Sequence, residues 1–103
     1  MITLDIDDCI DIDKRIDNIK KFFAHIPSVR IFYRRSSHAG HYHIKIYGVR
    51  NNYETRRILG DDEKRVIIDM QREQEGLPIN ILFNMKRYPD GEIKFAGQWN
   101  EVF

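Results

Sequence analysis

The chain has 103 residues, of which 42% are hydrophobic and 32% charged, and its formal net charge is +1. These values favour a single globular domain over residues 1–103 rather than a disordered tail, and bulk charge does not mark a nucleic-acid binder. The lone Cys9 excludes an internal disulfide framework and a cysteine-rich zinc site. The chain has no apolar run of about 18 residues and no signal-peptide layout, so we expect no membrane contact and a cytoplasmic location.

The first half of the chain is predicted to form three strands and one helix. Alternating apolar and polar residues indicate the strands, whereas apolar residues spaced by three and four indicate the helix. Asp11 or Asp13 is the predicted helix N-cap, and Pro27 follows the helix. The predicted strands cover residues 2–7, 29–35 and 41–47, the helix covers residues 12–26, and a Ser/Gly turn covers residues 36–40.

The second half is predicted to add a short helix and three strands. Val66-Ile67-Ile68 favours a strand, although Asp61-Asp62-Glu63 also resembles a helix start, from which a helix could run to Gly76. We predict the strand. Tyr88-Pro89-Asp90-Gly91 is typical of a tight turn and predicts a hairpin. The predicted helix covers residues 51–59, and the predicted strands cover residues 65–70, 79–86 and 92–99.

This order of elements, βαββαβ with a C-terminal β-hairpin, predicts an α+β fold of the ferredoxin-like, or RRM-like, type. Its antiparallel sheet would have the strand order 4-1-3-2 and carry two helices on one face. Because side chains alternate along a strand, the open face would then display Asp5 and Asp7 from the first strand. His41 and His43 from the third strand and Asp69 from the fourth would lie beside them.

Three carboxylates that converge on one patch suit Mg²⁺ or Mn²⁺, which prefer oxygen ligands. Two such ions can clamp the attacking and leaving oxygens of a phosphoryl transfer. Arg34, Arg35 and Lys45 are the candidates for holding phosphates, and a histidine could contact a phosphate or act in acid–base chemistry. The same residues also fit a solvated sheet surface, in which Asp69 forms an ion pair with a neighbouring arginine.

These residues resemble three motifs of the archaeo-eukaryotic primase and primase-polymerase superfamily, which lie on an RRM-like core. The matching stretches are Leu4-Asp5-Ile6-Asp7, Ser36-Ser37-His38-Ala39-Gly40-His41-Tyr42-His43 and Val66-Ile67-Ile68-Asp69. The resemblance implies that Asp5, Asp7 and Asp69 are catalytic and bind Mg²⁺ or Mn²⁺. It implies nucleotidyl transfer, with nucleoside triphosphates or single-stranded nucleic acid as partners.

The same resemblance implies that Ser37, His41 and His43 bind nucleotide or phosphate, with His43 as the nucleotide contact. His41 directly follows Gly40, whereas family members commonly have one residue between the glycine and the histidine, so His41 is the alternative match. We also expect the chain to lack the extra N-terminal module of full-size members. We therefore expect a minimal or degenerate core, of the kind that suits a plasmid or virus, working with a partner subunit or as a homodimer.

Two rival functions fit the same residues. His41-Tyr42-His43 resembles the His-hydrophobic-His motif of rolling-circle replication and relaxase nucleases, in which two histidines hold one metal and a tyrosine attacks DNA. Tyr53 and Tyr88 are the candidate nucleophiles. Alternatively, a non-catalytic sheet could bind single-stranded nucleic acid by stacking bases on aromatic side chains. Tyr33 and Tyr47 are the aromatic residues predicted on the open face.

Overall fold

The computed structural model describes residues 1–7 and 9–103 and confirms an α+β fold with an antiparallel sheet. Its elements are β1 (Ile2–Ile6), α1 (Ile12–Phe22), β2 (Arg30–Arg35), β3 (Tyr42–Tyr47), α2 (Tyr53–Ile58), α3 (Glu63–Gln74), β4 (Met85–Arg87), β5 (Ile93–Phe95) and β6 (Asn100–Val102). In this described part of the chain, no helix is long and apolar enough to cross a membrane.

The four-stranded sheet has the order β1-β3-β2-β6, which differs from the ferredoxin-like order predicted above. The three strands of the first half are neighbours as predicted, but β1 lies at an edge of the sheet, and residues 1–7 and 9–103 place no fourth strand beside it. The strand that completes the sheet is β6, which the sequence analysis missed, and it pairs with the opposite edge at β2. The described residues form three helices instead of the two predicted, and the sheet has a different strand order.

The strand predicted over residues 65–70 is wrong, because these residues form the middle of α3. Asp62 caps this helix by accepting a hydrogen bond from the backbone N–H of Lys64 at 3.1 Å. Val66 is fully buried whereas Ile67 and Ile68 are exposed, so the three apolar residues point to different sides of a helix. The helix start in the sequence therefore decided the local structure, and β-propensity did not.

The free edge of β1 is covered by side chains where the fourth strand of a ferredoxin-like sheet would lie. Asn80 Oδ1 accepts hydrogen bonds from the backbone N–H and the hydroxyl of Thr3, at 3.1 and 2.8 Å. Asp61 Oδ1 accepts from the backbone N–H of Asp5 at 2.8 Å, and Arg65 Nη1 donates to the carbonyl of Thr3 at 3.0 Å. Because these side chains form hydrogen bonds with the backbone groups at the edge of β1, the strand needs no neighbouring strand there.

The last third of the chain contains less strand than predicted. The range 79–86 becomes strand only from Met85, since Asn80 has a positive φ of 62° that interrupts an extended backbone. The predicted turn is confirmed: Gly91 donates from its backbone N–H to the Tyr88 carbonyl at 2.9 Å and has a φ of 87°. It joins β4 and β5 into a separate two-stranded sheet, so the predicted strand at 92–99 shortens to Ile93–Phe95.

The hydrophobic core lies on one face of the four-stranded sheet, against α1 and the end of α2. Alternation along β1 and β3 is confirmed, because their core-facing residues are almost completely buried. One aromatic prediction is wrong: Tyr33 lies opposite Ile44 and packs against the core, so it is not on the open face. Tyr47 is exposed, and its edge-to-face partner at 5.6 Å is Phe32.

Candidate functional site

An open cavity of about 650 Å³ lies between the non-core face of the sheet, the turn at residues 36–41, helix α3 and the segment at 81–86. Six of the sequence-predicted site residues line it. They are Asp5, Asp7, Ser37, His41, His43 and Asp69. The three cations predicted to hold phosphates, Arg34, Arg35 and Lys45, are not among its lining residues.

The centre of the site is a contact between two strands. Asp5 and His43 are directly opposite each other on β1 and β3, and Asp5 Oδ1 lies 3.9 Å from His43 Nε2. On the other side of the ring, Arg34 Nε donates to His43 Nδ1 at 3.0 Å. Because a guanidinium can only donate, His43 Nδ1 must accept, and the proton of the neutral ring lies on Nε2. A distance of 3.9 Å is too long for a direct hydrogen bond, so this N–H can serve another group in the cavity.

Burial and local charge shift both members of this pair. Burial raises the pKa of Asp5 to about 6, and the negative charge of Asp7 acts in the same direction. Burial lowers the pKa of His43 to about 4, assisted by the positive charges of Arg34 and Arg65. The histidine is therefore neutral at physiological pH, and the carboxylate carries a charge that its surroundings stabilise poorly. Such carboxylates are candidates for binding a cation.

A second carboxylate–histidine pair lies at the mouth of the cavity. His41 Nδ1 is 2.7 Å from Asp7 Oδ1, and the ring of His38 packs edge-to-face on His41 at 4.5 Å. The turn that carries these histidines is held by Ser36, whose side-chain hydroxyl accepts from the backbone N–H of His38 at 3.1 Å. This Ser/Gly turn therefore brings His38, Ser37 and His41 together on one rim.

Asp69 lines the cavity, but its carboxylate is engaged with other protein groups. Asp69 Oδ2 lies 2.9 Å from Arg56 Nη1 and accepts from the backbone N–H of Asn80 at 3.1 Å. Arg56 is fully buried and also donates from Nε to Asp61 Oδ2 at 2.8 Å. This is the arginine ion pair that the sequence analysis named as the alternative. Asp69 reaches the cavity from helix α3 and not from a fourth strand.

Two of the predicted phosphate ligands contribute to packing instead. The guanidinium of Arg34 and the ammonium of Lys45 lie over the ring of Trp99, at 4.4 and 4.1 Å from its centroid. Arg34 is buried and also donates to Asn84 Oδ1 at 2.8 Å. Arg35 is exposed at the end of β2, where its carbonyl accepts from the backbone N–H of Gly97 at 2.8 Å.

Four other cations line the cavity, and the sequence analysis missed them. Lys64, Arg65 and Arg72 come from α3, and Lys86 comes from β4. The signal for two of them was present in the sequence, because Lys64 and Arg72 each lie four residues from Ile68 and so share one face of a helix with it. Predicting a strand over this segment hid that relationship. With these residues, the cavity holds acidic and basic groups on facing walls.

An apolar wall completes the cavity. Ile68 from α3 and Ile81 and Phe83 from the following loop line it, and all three are exposed. The Phe83 side chain is 75% exposed, although Phe83 belongs to a segment held to the sheet. Its backbone carbonyl accepts from Arg34 Nη2 at 3.2 Å. An exposed aromatic ring that lines a polar cavity is suited to stacking on a planar ligand.

The two candidate tyrosine nucleophiles have different surroundings. Tyr53 donates to Glu73 Oε2 at 2.8 Å, and burial together with this hydrogen bond raises its pKa to about 12, which disfavours the phenolate. Tyr88 lies nearer the cavity, with its hydroxyl 3.3 Å from Nδ1 of His38.

The rival nuclease also needs two histidines that hold one metal ion. A metal-ligating histidine needs a free ring nitrogen that faces the metal. The protonated Nε2 of His43 does not meet this requirement.

Asp5 and Asp7 have the oxygen ligands that a Mg²⁺ or Mn²⁺ site would use. Among the described residues, no group of three or more His, Cys, Asp or Glu side chains is arranged to hold a metal ion by itself. Mg²⁺ in phosphate-handling sites is commonly bound by one or two carboxylates, together with water and substrate phosphates. Asp5 and Asp7 are two carboxylates that line the same cavity.

Comparisons of the chain with family models, curated proteins and solved structures find no match.

Proposed function

We propose that this chain is a divalent-metal-dependent domain for phosphoryl or nucleotidyl transfer that acts on nucleotides or nucleic acid. The observation that carries the proposal is the composition of one cavity. Asp5, Asp7 and the His43 Nε2–H lie on its sheet wall, Lys64 lies on its helix wall and Phe83 on its loop wall. A nucleoside triphosphate presents the complementary groups: phosphates for metal and cations, and a planar base for an aromatic ring.

In this proposal, Asp5 and Asp7 hold Mg²⁺ or Mn²⁺. When bound, the ion would supply charge neutralisation at the phosphates and orientation of the reacting oxygens. The protein supplies the other contacts. The His43 Nε2–H donates to a phosphate oxygen, with its direction set by Arg34. Asp69 stays in its ion pair with Arg56 and supports the site without binding the ion.

The cations of the cavity divide into anchored and available ones. Arg65 is anchored to Asp61, at 3.0 Å from Oδ2, and Arg72 Nε donates to the Pro78 carbonyl at 2.7 Å. In the described part of the chain, neither Lys64 nor Lys86 takes part in a salt bridge. These two lysines are therefore the side chains proposed to meet the phosphates as flexible point charges.

Calorimetric titration of Mn²⁺ tests the metal site. Without substrate phosphates to complete its coordination, the ion is expected to bind weakly to the wild type, and Asp5→Asn/Asp7→Asn, which removes both proposed ligands, is expected to abolish this binding. The matched control is Asp13→Asn/Asp17→Asn on α1, which removes the same charge from an exposed helix away from the cavity. Absence of binding to the wild type, or equal losses in both variants, would contradict the proposal.

Binding of a fluorescent nucleoside triphosphate tests the rest of the cavity. Phe83→Ala is expected to weaken binding about tenfold, because it removes the exposed ring from the loop wall. Phe95→Ala is the control, since Phe95 is similarly exposed at 68% but does not line the cavity. Equal nucleotide affinities of the two variants would show that the Phe83 ring does not contribute to binding.

A further inference from the structure

The β4–β5 hairpin has two chemically different faces. Met85 pairs with Phe95 across the strands, and the next pair along is Lys86 with Lys94. Because side chains alternate along a strand, the lysine pair shares its face with Tyr88, which follows Lys86 by two residues. We call Lys86, Tyr88 and Lys94 the basic face of the hairpin.

The two lysines of the basic face converge on one aromatic ring. The ammonium of Lys86 lies 5.4 Å and that of Lys94 5.1 Å from the centroid of Tyr88. Like charges directly opposite each other on paired strands destabilise a sheet. Glu92 follows on the same face, yet within the described residues no salt bridge joins it to either lysine. In the described part of the chain, neither lysine of the basic face is therefore neutralised by a carboxylate within salt-bridge distance.

The basic face is continuous with the cavity. Lys86 lines the cavity itself. The Tyr88 hydroxyl lies 3.3 Å from Nδ1 of His38, which is also a lining residue. Lys94 stands one strand further out, on the strand that pairs with β4. A chain of phosphates that leaves the cavity beside Lys86 would thus meet an aromatic ring and a second ammonium in succession.

We propose that the basic face binds single-stranded nucleic acid next to the cavity. Each ammonium exchanges its contact with the Tyr88 ring for a phosphate, which relieves the repulsion between the lysines and frees the ring for a base. Alternating phosphate and base contacts along one surface are what a single strand requires. This inference rests on the proposed function and extends it, by naming a strand of nucleic acid as the partner and the hairpin as its path.

The test is fluorescence anisotropy with a labelled 20-residue oligothymidylate in EDTA, measured at several salt concentrations. Each phosphate contact to a single strand contributes about 0.7 to the salt slope, so Lys86→Gln/Lys94→Gln is expected to lower it by about 1.4 and to weaken binding about 25-fold at 0.1 M salt. Lys14→Gln/Lys21→Gln on α1 is the control with the same change in net charge. Lys86→Arg/Lys94→Arg keeps both charges and is expected to keep the affinity.

A second variant separates a nucleic-acid strand from a generic polyanion. Tyr88→Leu is expected to weaken oligonucleotide binding about tenfold with an unchanged salt slope, because it removes stacking and not charge. The proposal would be overturned if the hairpin and α1 lysine variants bound the oligonucleotide equally well. It would also be overturned if the wild type did not bind the oligonucleotide. Tyr88→Leu with wild-type affinity would also overturn it, because the lysines would then bind any polyanion.

The outcomes for this inference and for the proposed function are independent. The oligonucleotide experiment is done without metal, whereas the metal site is read from Mn²⁺ titration of the same proteins. Intact Mn²⁺ binding with no effect of the hairpin variants would overturn the strand path alone. A hairpin effect without Mn²⁺ binding would leave a single-strand binding surface and overturn the metal-dependent function.

Discussion

Arg34 and His43 are adjacent strand residues joined side chain to side chain, and the 3.0 Å hydrogen bond from Arg34 Nε determines which ring nitrogen of His43 carries the proton. Their two strands are the central ones of the sheet, so the contact rests on a rigid support. Arg34 was predicted to hold phosphate. The structure instead makes it the residue that directs the histidine towards the cavity, and this arrangement leads to the first prediction.

We expect His43 to be a neutral Nε2–H tautomer at pH 7, and two-bond ¹H–¹⁵N spectra can show it directly. Arg34→Met removes the donor to Nδ1, so its spectrum is expected to contain a substantial fraction of the other tautomer. Arg30→Met is the control, because Arg30 pairs with Glu101 at the surface and does not touch the ring. A proton on Nδ1 of the wild-type ring would refute the assignment.

The metal-free protein is expected to show opposing pH effects from Asp5 and His43. The pKa of His43 is lowered from 6.5 to about 4, so its contribution to stability is lost as pH falls through that window, because the unfolded chain then binds the extra proton. The pKa of Asp5 is raised from 3.8 to about 6, so its contribution is present at low pH and is lost as pH rises through 6.

Single variants should separate these two effects in thermal melts recorded in EDTA. Asp5→Asn leaves the histidine effect alone, so its Tm is expected to fall more steeply than that of the wild type between pH 6.5 and 4. His43→Gln leaves the carboxylate effect, so its Tm should rise relative to wild type on acidification from pH 6 to 4. Parallel pH profiles for all three proteins would show that neither group is shifted.

The buried arginine of α2 is expected to be a major determinant of stability. Arg56→Met leaves the buried carboxylate of Asp69 without its arginine and Asp61 with Arg65 alone, and breaking a buried ion pair typically costs about 3–5 kcal/mol of unfolding free energy. Arg57→Met is the matched control on the same helix. Its exposed pairs with Glu54 and Glu63 are worth less than about 1 kcal/mol. Urea unfolding measures both, and equal losses would contradict the assigned role.

Asn80 is expected to be essential for closing the edge of β1. Asn80→Gly removes two hydrogen bonds to buried Thr3, at a cost of about 2 kcal/mol. Asn80→Ala should cost about 1 kcal/mol more, since alanine at a φ of 62° adds backbone strain that glycine avoids. Urea unfolding gives the order of the two variants. An alanine variant as stable as the glycine variant would show that φ changes at this position.

The local elements of the first half were predictable because their periodicity and turn chemistry are strong. Strand alternation placed Ile2, Leu4 and Ile6 in the core and Asp5 on the opposite face, and all four assignments agree with the structure. The hairpin turn that ends at Gly91 was predictable for the same reason, since its backbone conformation follows from its own residues. The strand alternation and the turn depend on interactions between residues that are close in the sequence, so the local pattern is enough to predict them.

The helix at residues 63–74 was not predicted, because a strand-like apolar triplet competed with a helix cap. The cap at Asp62 prevailed, and Val66 found its buried position on a helix face. This single error also hid three of the four cations that line the cavity, Lys64, Arg65 and Arg72, and placed Asp69 on a strand instead of a helix. The wrong assignment of one element therefore changed which residues were predicted around the site, while the central pair, Asp5 and His43, stayed the same.

The sequence alone determined which face each residue of β1 and β3 presents, because alternation is a property of every strand, and it therefore brought Asp5 and His43 to one surface. Tertiary structure decided what surrounds them. Side chains from distant segments, above all Asn80, cover the edge of β1 and exclude a fourth strand there. The buried pairing of Arg56 with Asp69 also arises between separate helices. Such contacts depend on long-range packing and desolvation, which no local pattern in the sequence encodes.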